Sequence, residues 1–143
     1  CVFGCGGDRD KEKRPIIGEI VTRLSDFVIF TSDNPRTENP NTIINDITEG
    51  CETKNYSVVL ERKEAIKVAL DIARSGDIVA ILGKGNEDYI KINNKIIHFN
   101  DLEEVKQIVK NEKIRFIIGD TKILYAPVSI KTKNIILLIL SYL

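Results

Sequence analysis

The sequence has no surplus of charge of either sign, since 21 Lys and Arg balance 21 Asp and Glu over 143 residues. A chain that holds nucleic acid needs a basic excess to displace counterions, so nucleic acid is not an expected partner. Cysteine and histidine are scarce. Cys1, Cys5 and Cys51 are an odd number without zinc-ligand spacing, and the lone His98 is remote from them in sequence. Reduced thiols and no structural metal are expected. No signal-peptide pattern is read in these residues, and the ten-residue NIILLILSYL is too short to cross a bilayer. These absences point to a cytoplasmic protein with no membrane partner. Nucleotide fingerprints are missing as well. Gly4, Gly6 and Gly7 do not complete a GxGxxG spacing, and GKGNED lacks the residues and the terminal Lys-Ser/Thr pair of a P-loop. Opening at Cys1, directly on the apolar start of CVFGCGG, reads as entry in mid-strand, so a fragment of a longer chain is expected.

What is present is apolar content of 43%, enough for the core of one compact domain. Short β-rich runs alternate with helical patterns, the rhythm of parallel α/β architecture. CVF reads as a buried strand, and Ile16, Ile17, Ile20, Val21 and Leu24 mark one face of a following helix, with Pro15 in its first turn. FVIF repeats the unit. Its helix has Asn39 as cap, Pro40 in the first turn, Ile43, Ile44 and Ile47 inward and Gly50 at the end. Tyr56 to Leu60 is a short strand, Arg62 to Arg74 a helix with Ala65, Ile66, Ala69, Leu70 and Ala73 inward, and Asp77 to Leu82 a buried strand. Ile90 to Ile92 and Ile96 to Phe99 flank Asn93-Asn94-Lys95 as a hairpin. The last helix starts at Asp101, with Asp101 and Glu104 as its capping pair and Val105, Ile108 and Val109 as core positions.

Three polar loops, GCGGDRDKEKR, TSDNPRTE and GKGNEDY, therefore follow three apolar strands. In open parallel sheets that edge is where ligands bind. The loops supply Arg9 and Arg36 for carboxylates or phosphates, Asn34 as donor and acceptor, glycine N–H groups, and Glu87 and Asp88 for an ammonium. An amino acid satisfies that mixture. Taken singly, each loop also reads as an ordinary turn with solvated charges, and His98 on a strand reads as structural. Their convergence is what marks a site.

Together CVFGCGGDRDKEKRP, TSDNPRTENPNTIINDITEG and GKGNEDY resemble the carboxy-terminal domain of the Mur ligases, in the branch that adds meso-diaminopimelate to a peptidoglycan precursor. The resemblance spans residues 1–113, in order and with family-like spacing. It implies a Rossmann-like α/β domain, a mostly parallel sheet flanked by helices with a small β-hairpin. It leaves residues 114–143 as an apolar tail, expected to be dispensable for the fold. It also implies ATP-dependent amide-bond synthesis, in which the D-glutamyl carboxylate of a UDP-N-acetylmuramoyl-dipeptide is phosphorylated and the incoming amine attacks the acyl phosphate. ATP and Mg2+ would serve the complete ligase and be bound mainly outside this chain, which alone is expected to be inactive.

Carried over by position, Arg9 in GGDRD, Asp33, Asn34, Pro35 and Arg36 in DNPR, Gly83 in GKG and Glu87 in NEDY would hold meso-diaminopimelate, with no catalytic side chain and no metal ligand. That amino acid ends in an ammonium and carboxylate pair where lysine has only an ammonium. A guanidinium fork at Arg36 can grip the extra carboxylate, and Pro35 restricts Asn34 to extended conformations that present both residues. Two departures stand out. Asn86 replaces the His common between GKG and ED, which removes a titratable group, and the segment FIIGDTKILYAPVSIKTKNIILLILSYL runs beyond the family's last helix. The alternatives are a dinucleotide-binding domain, which NAD titration would detect, and a noncatalytic regulatory module, which would bind without turnover.

Overall fold

The computed structural model describes residues 1–109 in full and the backbone of 117–118, 123–130 and 133–141. Strands β1 (Val2–Phe3), β2 (Val28–Phe30), β3 (Tyr56–Val58) and β4 (Ile78–Gly83) alternate with helices α1 (Lys13–Leu24), α2 (Pro40–Thr48) and α3 (Arg62–Ile72). An antiparallel hairpin of β5 (Tyr89–Ile92) and β6 (Lys95–His98) follows, then α4 (Asp101–Ile108). The first four strands pair in parallel in the order β3-β2-β1-β4. This is the α/β architecture with a small hairpin that the alternating patterns predict.

Pleating sends neighbouring residues of each strand to opposite faces, and both faces are covered. Val2, Ile29, Val79 and Ile81 pack with Ala65, Ile66, Ala69 and Leu70 of α3 and with Val105 and Val109. Phe3, Val28 and Phe30 pack on the other side with Val21 of α1 and Ile43, Ile44 and Ile47 of α2. Helices α2 and α3 bury the faces that their spacing predicts. Asn39 caps α2, its side chain accepting from the Asn41 N–H at 2.9 Å, with Pro40 in the first turn.

Helix α1 departs from expectation. Ile16 and Leu24 are 58% and 73% exposed, and the buried positions are Arg14, Gly18, Val21 and Thr22. The cause is close approach to α2: a Cβ on Gly18 would overlap the Ile47 carbonyl, and one on Gly50 would overlap the Pro15 carbonyl. Two backbones that near turn the smallest residues inward, and apolar spacing alone does not show which face carries them. The α4 cap is also displaced by one residue. Asn100 is the cap, its side chain accepting from the Glu103 N–H at 3.1 Å, because Asp101 is committed elsewhere. Both of its carboxylate oxygens accept from Arg62, at 2.8 Å each, in a fully buried fork-to-fork pair.

Three further strands are β7 (Ile117–Ile118), β8 (Ile123–Ile130) and β9 (Lys133–Ser141). β9 pairs in parallel with β4 from Ile78↔Ile136 to Gly83↔Ser141, and β8 and β7 continue the sheet antiparallel. The segment read from the sequence as an apolar tail without an assigned structure thus has, in β9, backbone in register with the edge of β4. Among the described residues no helix is long and apolar enough to cross a membrane.

Candidate functional site

The chain runs from β1 outward through β2 to β3, then crosses back so that β4 lies on the other side of β1. Loops leaving the carboxyl ends of β1 and β4 therefore diverge in direction, and a crevice opens between them. A cleft of about 550 Å3 occupies that place. Arg9, Asp33, Asn34, Arg36, Gly83 and Glu87 all line it. Pro35 does not. It is buried behind the lining, where its carbonyl accepts from the Glu38 N–H at 3.0 Å. Asp88 is exposed and outside the lining, and Asn86 is exposed.

The first two loops are fitted backbone to backbone. Cβ atoms on Gly4 and Gly7 would overlap the carbonyls of Thr31 and Pro35, and the Gly7 N–H donates to the Asn34 carbonyl at 2.8 Å. These glycines serve close approach, as in a phosphate-binding turn, but here the surface approached is the DNPR loop. Asp8, itself at φ +52, ties the same loops by accepting from the Thr37 hydroxyl at 2.7 Å. Gly83 has φ +115, and a Cβ there would come within 2.9 Å of Asp33 Oδ2, so both backbone and space call for glycine.

Arg36 sits at φ +51, a left-handed conformation that costs a bulky residue on the order of 1 kcal/mol or more. Three bonds maintain it. Its N–H donates to the Lys91 carbonyl at 2.9 Å, its carbonyl accepts from the Asn93 N–H at 2.6 Å, and Nη1 donates to the Gly7 carbonyl. The hairpin therefore grips the DNPR loop, with an isolated parallel bridge between Arg36 and Ile92. Nε and Nη2 of Arg36 have no partner among the described residues, and neither does the exposed guanidinium of Arg9.

Beneath these residues lies a buried charge network that sequence reasoning missed. Arg14 is 1% exposed. It donates to both oxygens of Glu38, at 2.8 and 3.0 Å, to Asp46 at 2.7 Å and to the Gly6 carbonyl at 3.2 Å. The Arg14 hydrogen bonds hold the Glu38 carboxyl at about 2, well below the usual range. Lys84 is also 1% exposed, and its Nζ reaches Asp33, Asn34 and Glu87. Burial pushes the Asp33 carboxyl upward, opposed by the Arg62 and Lys84 charges. The readable signals were the KRP and GKG motifs, but a Lys or Arg in a polar loop reads as solvated until its partners are known. Burial raises the Cys5 thiol to about 12, so it lines the cleft without nucleophilic character. His98 is remote in role: it is exposed and pairs with Glu103 at 2.7 Å, which raises its pKa.

The cleft thus brings Arg9 and Arg36, with guanidinium nitrogens that have no partner among the described residues, together with Asp33 and Glu87 in one cavity. It can hold a molecule that carries both charges, by position and neutralisation rather than by covalent chemistry.

A profile of the family described as "Mur ligase, glutamate ligase domain" matches residues 1–85. The chain is 54% identical over 109 residues to UDP-N-acetylmuramoyl-L-alanyl-D-glutamate--2,6-diaminopimelate ligase 1 of Clostridium acetobutylicum, covering 76% of the chain and 23% of the relative. It is 50% identical over 109 residues to the corresponding ligase of Aquifex aeolicus, with the same 76% and 23% coverage. A solved structure of a ligase with that name superposes with a TM-score of 0.73 at 43% identity, again over 76% of this chain and 23% of the other. The chain spans under a quarter of the length of these relatives.

Proposed function

The chain belongs to the Mur ligase family, and from that premise we propose that it is the carboxy-terminal, amino-acid-receiving domain of the ligase that adds meso-diaminopimelate to UDP-N-acetylmuramoyl-L-alanyl-D-glutamate. One observation carries the reading: Arg9 and Arg36, which keep guanidinium nitrogens without a partner among the described residues, line the same cleft as Glu87. The cations suit the carboxylates of the amino acid, and Glu87 suits an ammonium. Lysine would leave one guanidinium facing no carboxylate. The domain's part in the reaction is to bind the amino acid, orient its amine and discriminate among side chains.

ATP and Mg2+ supply carboxylate activation in this proposal, and the residues described here do not fit a site for them. The GKG lysine is enclosed by Asp33, Asn34 and Glu87 instead of facing phosphate, and the described residues form no cluster suited to a metal. The groups that hold the nucleotide, and the UDP-linked precursor, are assigned to the remainder of a longer ligase. A cytoplasmic setting belongs to the same proposal, and the free thiols of Cys1, Cys5 and Cys51 accord with it.

The test is amide formation by a complete ligase that ends in this domain, with meso-diaminopimelate and lysine compared as acceptors. Strong preference for meso-diaminopimelate is expected, and no ATP hydrolysis by the 143-residue chain alone. Equal use of the two amino acids would overturn the assignment.

A further inference from the structure

Lys84 is enclosed by the groups that form the carboxylate side of the cleft. Its Nζ lies 3.3 Å from each of Asp33 Oδ1, Asn34 Oδ1 and Glu87 Oε2, and the Tyr89 ring covers it at 5.6 Å. An ammonium has three hydrogens and no acceptor, so three oxygens exhaust it and nothing remains for a ligand. The same bonds determine the orientation of Asn34. Its Oδ1 takes Lys84 Nζ and, at 2.8 Å, the Lys91 N–H, both of which can only donate. Nδ2 must then be the atom that donates to Glu87 Oε2 at 2.8 Å. Glu87 Oε2 is doubly occupied, while Oε1 takes no hydrogen bond among the described residues. Among the described residues Lys84 is also the one ammonium bonded to both Asp33 and Glu87, whose charges would otherwise repel across Asn34.

We infer that Lys84 is a positioning residue for ammonium recognition: by holding Glu87 through Oε2 and Asn34, it leaves Oε1 as the oxygen offered to the ligand's ammonium, without touching the ligand itself. The inference rests on the proposal that this cleft receives a zwitterionic amino acid, and it supplies the device that sets the ammonium-binding end. A merely structural Lys84 would stabilise the fold without altering how Glu87 meets a ligand.

Two measurements on the 143-residue chain separate this inference from the reading it rests on. In the ligand-free chain, solvent exchange of the Asn34 Nδ2 hydrogens, followed by NMR, should be slow. In Lys84→Met, where repulsion from Asp33 displaces Glu87, it should be about tenfold faster. Calorimetry with meso-diaminopimelate then closes a double-mutant cycle. Lys84→Met and Glu87→Gln should each weaken binding by roughly 30-fold, and the double variant should be no weaker than either single. Additive losses, wild-type affinity in Lys84→Met, or unchanged Asn34 exchange would each overturn the inference. Urea unfolding accompanies every variant. If Lys84→Met loses cooperative unfolding, Lys84→Gln, which keeps one neutral donor, replaces it in both measurements with the same direction expected. If the wild-type chain takes no meso-diaminopimelate, the substrate reading fails, and Asn34 exchange still decides whether Lys84 positions Glu87.

Discussion

At the scale of single residues, the DNPR loop places a bulky side chain where backbone preference opposes it, and hydrogen bonds from two other segments maintain it. Arg36, which lines the cleft, donates through Nη1 to the Gly7 carbonyl, and its Nε and Nη2 have no partner among the described residues. Arg36→Ala in a complete ligase should lower kcat/KM for meso-diaminopimelate by roughly 30-fold or more, with much less effect on lysine. Arg36→Lys should recover only part of the loss, since a point charge replaces a planar fork. An unchanged preference between the two amino acids would make Arg36 a loop support only. Glu38 carries a different prediction. Its carboxyl lies at about 2 in the fold against an ordinary 4.5, chiefly through hydrogen bonding to Arg14. Because the folded value is depressed, its contribution is present in full above the ordinary value and drains away as pH falls toward the folded one. Thermal midpoints should therefore drop between about pH 5 and pH 2.5 in the wild-type chain. Glu38→Gln should begin lower and decline less steeply over the same range.

At the scale of elements, α1 and α2 set propensity against packing. Gly18 lies inside α1, where replacing it with Ala should gain about 1 kcal/mol from helix propensity alone. A Cβ at that position, however, would overlap the Ile47 carbonyl of α2, and backbone cannot swing aside as a flexible side chain can. Packing decides the sign: Gly18→Ala is expected to lose about 1–3 kcal/mol in urea unfolding. A stabilised variant would mean that the two helices can part without cost. The same contact explains how much of α1 was legible. Its existence and length follow from apolar spacing, but its inward face follows from the neighbour it touches. Helix α4 offers the parallel case. A capping residue was foreseeable near Asp101, yet the choice of Asn100 depended on Arg62, which lies 39 residues from the Asp101 it engages.

At the scale of the whole molecule, the described residues supply two apolar clusters, one on each face of the sheet, while β9 covers the edge of β4 along six paired residues. A chain ending at Lys113 is expected to keep cooperative unfolding, because the residues that interlock the two helical layers remain. It should also self-associate, because the β4 edge from Ile78 to Gly83 then presents unpaired backbone. Unfolding curves and sedimentation of the shortened chain check both. Non-cooperative melting would show that β8 and β9 complete the core, and a strictly monomeric shortened chain would contradict the edge argument. The sequence by itself determined the order of strands and helices as far as α4, the three loops after three strands, and the residues those loops carry. Such features depend on side-chain period and turn chemistry, which act over a few neighbouring positions. Only the tertiary structure decided that β4 lies beside β1, that Arg14, Lys84 and Arg62 are buried, and that Lys84 joins Asp33 and Glu87. Partners separated by 24 residues for Arg14 and Glu38, or 51 for Lys84 and Asp33, are selected by strand order and by the demand that every buried charge be paired.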